Sequence, residues 1–239
     1  MNYIFINTPK TAGTFVKRRI VELNNNIHMI QGHSRCISDE FIYDAYPNNN
    51  YYRSRKWWGV DLTQQPIFDD AVKFTTIRNP YDLLVSYFIS RWGDNDKGMK
   101  VKLPRVGFTQ LIQEFCKEHT NWHVPLFRDF LYFNLFDEEG NSRCDYAIIY
   151  DTLNDGLKEF TDRHNLNFRK GGRENKTGPK KKSYKSYYSD ETIDLVSEKC
   201  KLELDMFNFD FDGYKGNEKI IKVSDLKLDW DKILRRWKY

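Results

Sequence analysis

Apolar positions along the chain form short runs and stripes rather than long blocks. Tyr3 to Ile6 is an unbroken apolar run of strand length, and Ala71 to Ile77, "AVKFTTI", is a second, rich in β-branched residues. "CDYAIIY", residues 144–150, is a third. Between these runs the period becomes helical. Val16, Ile20 and Leu23 predict a helix over Gly13–Leu23. Asn79-Pro80 supplies an N-cap and a first-turn proline for a helix whose apolar face is Val85, Phe88, Ile89 and Trp92, with Gly93 at its C-cap. Phe108–Glu118 and Val124–Phe136 read as aromatic-rich helices, and Leu153, Leu157 and Phe160 mark another despite Gly156. Ser189 caps one more, with acids in its first turn and Ile193, Val196, Cys200 and Leu204 on its apolar face. "NNNIHMIQGHSRC" reads as a polar connection and "YDAYPNNNYYRSRKWWG" as a loop or insertion. Strands alternating with helices predict an α/β fold, a central parallel sheet flanked by helices. Length fits a single domain over 1–239, with 210–239 open as a C-terminal extension ending in the amphipathic "WDKILRRWKY".

Composition sharpens this picture in three places. Hydrophobic residues at 40% and aromatics at 16% predict a packed core rather than disorder. A net charge of +4 is too small to announce a nucleic-acid binder, but its distribution is uneven. Residues 169–185 hold eight basic side chains against the single acid Glu174, whereas 190–212 hold eight acids against two lysines. That asymmetry predicts a local anion site. Cys36, Cys116, Cys144 and Cys200 are widely spaced with no CxxC, which suits reduced thiols and no metal site. The N-terminal apolar run is too short for a signal peptide, and no segment approaches the roughly 18 apolar residues of a membrane span. A cytoplasmic protein with no membrane span is the expectation, its oligomeric state open.

Chemistry enters at "FINTPKTAGTF", residues 5–15. A strand, a tight turn and a helix start would direct the N–H groups of Ala12, Gly13 and Thr14 at an anion. Gly13 permits close approach, Lys10 adds charge, and Thr11 and Thr14 add hydroxyls. The nucleotide P-loop G-x-x-x-x-G-K-[ST] is not matched: no first glycine stands in register, and Lys10 precedes Gly13. Seen alone, "PKTAG" fits a plain turn with a solvated lysine equally well. A second motif, "FTTIRNPYDLLVSYF", ends a strand in Arg78 and sets Ser86 eight residues on, in the next helix. An arginine can fork onto a phosphate and a serine add a hydroxyl; the plain alternative pairs Arg78 with Asp82.

Taken together, the two segments resemble the sulfotransferases that use 3′-phosphoadenosine 5′-phosphosulfate (PAPS). In that family a Pro-Lys-[ST]-x-[GS]-[ST]-like loop holds the 5′-phosphosulfate, and Arg-Asn-Pro with a later serine holds the 3′-phosphate. The resemblance implies a P-loop-kinase-like sulfotransferase fold. It implies a donor site of Pro9, Lys10, Thr11, Ala12, Gly13 and Thr14 at the 5′ end, with Arg78 and Ser86 at the 3′ end. "YAIIYDTLNDGLKEF" and "YYSDETIDLVSEKCKLELDMFNFDF" echo later family segments, although Asp151-Thr152-Leu153 departs from the usual Glu-Asn-Leu.

"QGHSR", residues 31–35, resembles the Gly-His segment of the heparan and chondroitin 2-O-sulfotransferases, which makes His33 the implied base. His28, His123, Asp61 and Glu40 are competitors for that role. Arg169, Lys170 and Gly171 echo an Arg-Lys-Gly that contacts the nucleotide in cytosolic members, with Asn175 and Lys176 the alternative in the carbohydrate branch; a solvated basic loop also fits. What the resemblance implies is sulfuryl transfer from PAPS to an acceptor hydroxyl, with a carbohydrate favoured and no metal required. Lys10 would stabilise the leaving group, and His33 would take the proton. The competing expectation is a non-catalytic basic module gripping nucleic acid or another polyanion through residues 169–185.

Overall fold

The apolar run at the N-terminus forms strand β1 (Tyr3–Ile6), buried along its whole length as an interior strand of a parallel sheet must be. The computed structural model describes residues 1–8, 11–30, 66–90, 107–116, 132, 134–171 and 183–235. Helix α1 (Gly13–Arg19) and strand β2 (Ile27–Ile30) follow, then the short α2 (Pro66–Asp70) and β3 (Val72–Ile77). The sheet is completed by β4 (Tyr146–Ile149), succeeded by α5 (Leu153–His164), and by β7 (Ile220–Lys222), with α8 (Trp230–Arg235) near the C-terminus. Strand order is β2-β1-β3-β4-β7; the first four are parallel and β7 is antiparallel to β4. The protein is therefore α/β, with a mostly parallel five-stranded sheet and flanking helices.

Register explains the core. Tyr3 pairs with Ile27 and Val72, Phe5 with Phe74, and Ile148 with Ile220, so alternate residues of each strand share one face. Val16 of α1, Ile20 just after it, and Leu157 and Phe160 of α5 pack on that face. The Phe160 ring lies 4.4 Å from Phe74 and 6.2 Å from Tyr3, centroid to centroid. Gly156 is the reason α5 can lie so close: a Cβ there would stand 2.7 Å from Ile148 Cγ2 and 2.9 Å from the Lys219 carbonyl oxygen.

Contacts divide the chain into two units. The first holds the sheet and comprises Met1–Ile77, Phe127–Gly172 and Glu218–Tyr239. The second comprises Arg78–Leu126 and Arg173–Asn217, with α3 (Pro80–Ser90), α4 (Phe108–Cys116), α6 (Asp190–Lys199), α7 (Lys201–Met206) and the hairpin of β5 (Phe209–Asp210) with β6 (Gly213–Tyr214). Asn79 caps α3 as expected, its Oδ1 accepting from Tyr81 N at 3.0 Å. Ser189 caps α6 in a reciprocal box with Thr192. Tyr81, Tyr188, Phe211 and Phe108 meet edge to face inside this unit.

Several elements differ from the sequence expectation. The first helix stops at Arg19 and continues as a single 3₁₀ turn, Val21–Leu23, because Ile20 takes φ −134 and ψ −45. Residues 27–30, read as polar connection, form β2. The helix expected through Leu204 breaks at Cys200 into α6 and α7. The tail supplies β7 to the sheet. Cys116, Cys144 and Cys200 are free thiols. Among the described residues, no helix is long and apolar enough to cross a membrane. Trp92, Gly93 and most of the helix expected at 124–136 lie outside the described residues.

Candidate functional site

Strand order selects one place in the first unit. The chain runs from β1 outward to β2, then returns past β1 to β3, so the carboxyl ends of β1 and β3 flank the point where winding reverses. Open α/β sheets bind ligands outside the strand ends at such a switch point. The turn that begins at Asn7 leaves β1 here.

Three threonines shape that turn. Thr76, next to last in β3, donates its hydroxyl to the Thr11 carbonyl and lies 2.9 Å from Thr11 Oγ1. Thr11 donates to the Thr8 carbonyl at 2.8 Å, and Thr8 to the Thr76 carbonyl at 3.1 Å, closing a ring. All three side chains are buried. The ring fixes both ends of the turn against the strand beside it.

Past the ring, Ala12 adopts φ 83 and ψ 24, the left-handed region that costs an alanine roughly 1–2 kcal/mol. A left-handed residue followed directly by helical ones turns successive N–H groups to one side, the arrangement of an anion-binding nest. The N-cap residue Ala12 supplies no side-chain cap to α1, and the first turn carries no acid. Asn7, not singled out by the sequence, lies over this start: a Cβ on Gly13 would stand 2.1 Å from its Oδ1. The Asn7 amide also donates to the Ile30 carbonyl at 3.4 Å, tying the turn to the end of β2, three residues before His33.

The expected residues divide as follows. Thr11 is buried with its hydroxyl in the ring, while Ala12, Gly13 and Thr14 are half-buried or exposed at the helix start. Arg169 and Lys170 are exposed; Arg169 N donates to the Arg19 carbonyl at 3.1 Å, and Asn154 Nδ2 to the Gly171 carbonyl at 3.2 Å. The basic segment thus departs from beside α1. Pro9, Lys10, His33, Asn175 and Lys176 lie outside the described residues, as do His123, Asp61 and Glu40. His28 is exposed on β2.

In the second unit, Arg78 stands just before the Asn79 cap of α3, with its side chain 4% exposed. Its Nε donates to Asp82 Oδ2 at 2.6 Å, and its Nη2 forms an ion pair with the same oxygen at 2.6 Å. Ser86, half-buried, stands one turn beyond Asp82, so Asp82 and Ser86 share a face of α3. Tyr87 is buried next to them; burial pushes its hydroxyl pKa well up, and the Arg78 charge pulls it partly back. The first motif lies in the first unit, whereas the second is divided, with 74–77 in the first unit and Arg78 and Ser86 in the second. Thr8, Thr76 and Asn7 were not anticipated, and their one sequence signal was position at a strand end. Comparison with protein-family models, with curated proteins and with solved structures gives no match.

Proposed function

We propose that the protein is a PAPS-dependent sulfotransferase of the P-loop-kinase-like sulfotransferase fold, moving a sulfuryl group to an acceptor hydroxyl, with a carbohydrate the favoured acceptor. The observation that carries this reading is the turn at the β1/β3 switch point, where a left-handed Ala12 is held by the threonine ring. Such a turn fits a phosphate-sized anion. Its left-handed Ala12 leads directly into helical residues, the Asn7 side chain lies over Gly13 as a further polar group, and no acid stands in the first turn of α1.

In this reading the N–H groups of Ala12, Gly13 and Thr14, with the Thr14 hydroxyl, hold the 5′-phosphate; Pro9 and Thr11 shape the turn around it. Arg78 and Ser86 take the 3′-phosphate, assisted by Arg169 and Lys170 or by Asn175 and Lys176. The bond between sulfur and the bridging phosphate oxygen breaks as the acceptor oxygen bonds to sulfur in line. Lys10 donates to the bridging oxygen as charge develops there. His33 accepts the acceptor's proton, which asks for a neutral imidazole. Neither step calls for a metal.

The test is differential stabilisation. Adenosine 3′,5′-bisphosphate, the product nucleotide, is expected to raise the melting temperature of the protein, and magnesium-ATP to do so far less. Two separated anion motifs match phosphates at both ends of a nucleoside rather than a triphosphate chain. Equal stabilisation by the two ligands would remove the basis of the proposal.

A further inference from the structure

Arg78 is a cation where the backbone already supplies positive charge. It stands one residue before the Asn79 cap of α3, an eleven-residue helix whose first turn carries the positive end of the helix dipole. A guanidinium buried there is tolerated only with an anion against it. Asp82 is such an anion: one carboxylate oxygen accepts from Nε at 2.6 Å and lies 2.6 Å from Nη2. A phosphate cannot simply be added, because a second anion beside a part-buried carboxylate is strongly repelled.

We infer that Asp82 is an internal counter-anion that a ligand phosphate must displace from Arg78, and that this displacement makes the site admit phosphate monoesters and reject phosphodiesters. The inference rests on the proposed role of Arg78 as a phosphate ligand. Asp82 is tethered one helical turn from Arg78, so its effective concentration at the guanidinium is high. A diester also carries one negative charge, but it has no tether; exchanging it for Asp82 gains nothing. A monoester carries nearly two charges at neutral pH and three acceptor oxygens, enough to win the exchange. The threshold separates the 3′-phosphate of a mononucleotide from a nucleic-acid backbone, which is a chain of diesters.

The experiment is calorimetric titration of the full chain and its Asp82→Asn variant with three probes. These are adenosine 3′,5′-bisphosphate, its 3′-methyl ester, and adenosine 5′-phosphate. With the wild type, the bisphosphate should bind more tightly than the 5′-phosphate, and the methyl ester no better than the 5′-phosphate. In Asp82→Asn the bisphosphate should tighten roughly tenfold, the methyl ester should now exceed the 5′-phosphate, and the 5′-phosphate should not change. A bisphosphate that binds Asp82→Asn more weakly would make Asp82 an orienting partner and overturn the inference; so would equal changes for all three probes. A wild type indifferent to the 3′-phosphate would instead overturn the role of Arg78, and this inference with it. Should Asp82→Asn fail to fold, the wild type still decides. The Arg78 Nε–H resonance should move on adding bisphosphate and stay with 5′-phosphate; a resonance unmoved at saturating bisphosphate overturns the displacement.

Discussion

Thr76 holds the candidate turn from outside it. Its hydroxyl serves the Thr11 carbonyl, and its own carbonyl receives Thr8, so one β3 residue closes the ring on both sides. Thr76→Val preserves shape and strand preference but deletes the donor, leaving a buried carbonyl short of a partner. The expected cost is about 1–3 kcal/mol, read as a lower midpoint in urea unfolding. An unchanged midpoint would mean that the turn holds its left-handed Ala12 by other means. None of this was legible beforehand. In "FTTI" the threonines read as β-branched strand formers, and spacing does not distinguish a hydroxyl that bonds from one that merely packs. Ala12 was equally silent, since glycine and asparagine are the residues that advertise positive φ. Lys10, Gly13, Arg78 and Ser86 stood out because residues of those types, at strand ends and helix starts, suit anions. Arg78 with Asp82 shows the limit of that signal, because the same side chain answers to an internal carboxylate and to a ligand.

Elements were legible where their apolar pattern was unbroken or long enough to count, as in β1, β4 and the longer helices. The twelve-residue α5 and the eleven-residue α3 span several turns, and their apolar stripes and caps located them. Four residues of β2 and three of β7 offer no periodicity to count, and His28 and Lys222 make both look like connections. In α5 the sequence raised a doubt that the structure resolves. Gly156 weakens a helix by propensity, yet it is what lets the helix approach β4 and the residue before β7. Gly156→Ala would ordinarily gain about 0.5–1 kcal/mol. Here the new methyl would meet Ile148 Cγ2 at 2.7 Å and a backbone oxygen at 2.9 Å, and a backbone atom has little room to yield. Overpacking of that kind costs roughly 1–3 kcal/mol, so the variant should melt below the wild type. A higher melting temperature would show that α5 can lift off the sheet at no cost.

At the scale of the whole molecule, the alternation of strands and helices yielded the parallel sheet. The division into two contact units was not readable, because each is assembled from separated stretches of chain. The tail is where local and global readings part most. Taken by itself, the stretch after residue 217 is a short polar segment with one amphipathic end. In the fold, β7 pairs along β4 with Ile148 opposite Ile220, and Val223 N donates to the Asp145 carbonyl at 2.9 Å. Trp230 is buried, its Nε1–H donating to the Asp137 carbonyl at 2.8 Å. Val223 and Leu228 are buried as well. Deleting residues 218–239 would strip the covering strand from β4, whose Ala147, Ile148 and Ile149 are fully buried. An apolar strand edge laid bare is a template for pairing with other chains. Chain 1–217 should therefore be recovered as aggregate, or as a species without a cooperative melting transition by circular dichroism. A soluble chain 1–217 that melts cooperatively near the full-length temperature would mean that the four parallel strands suffice and that β7 is an accessory to the sheet.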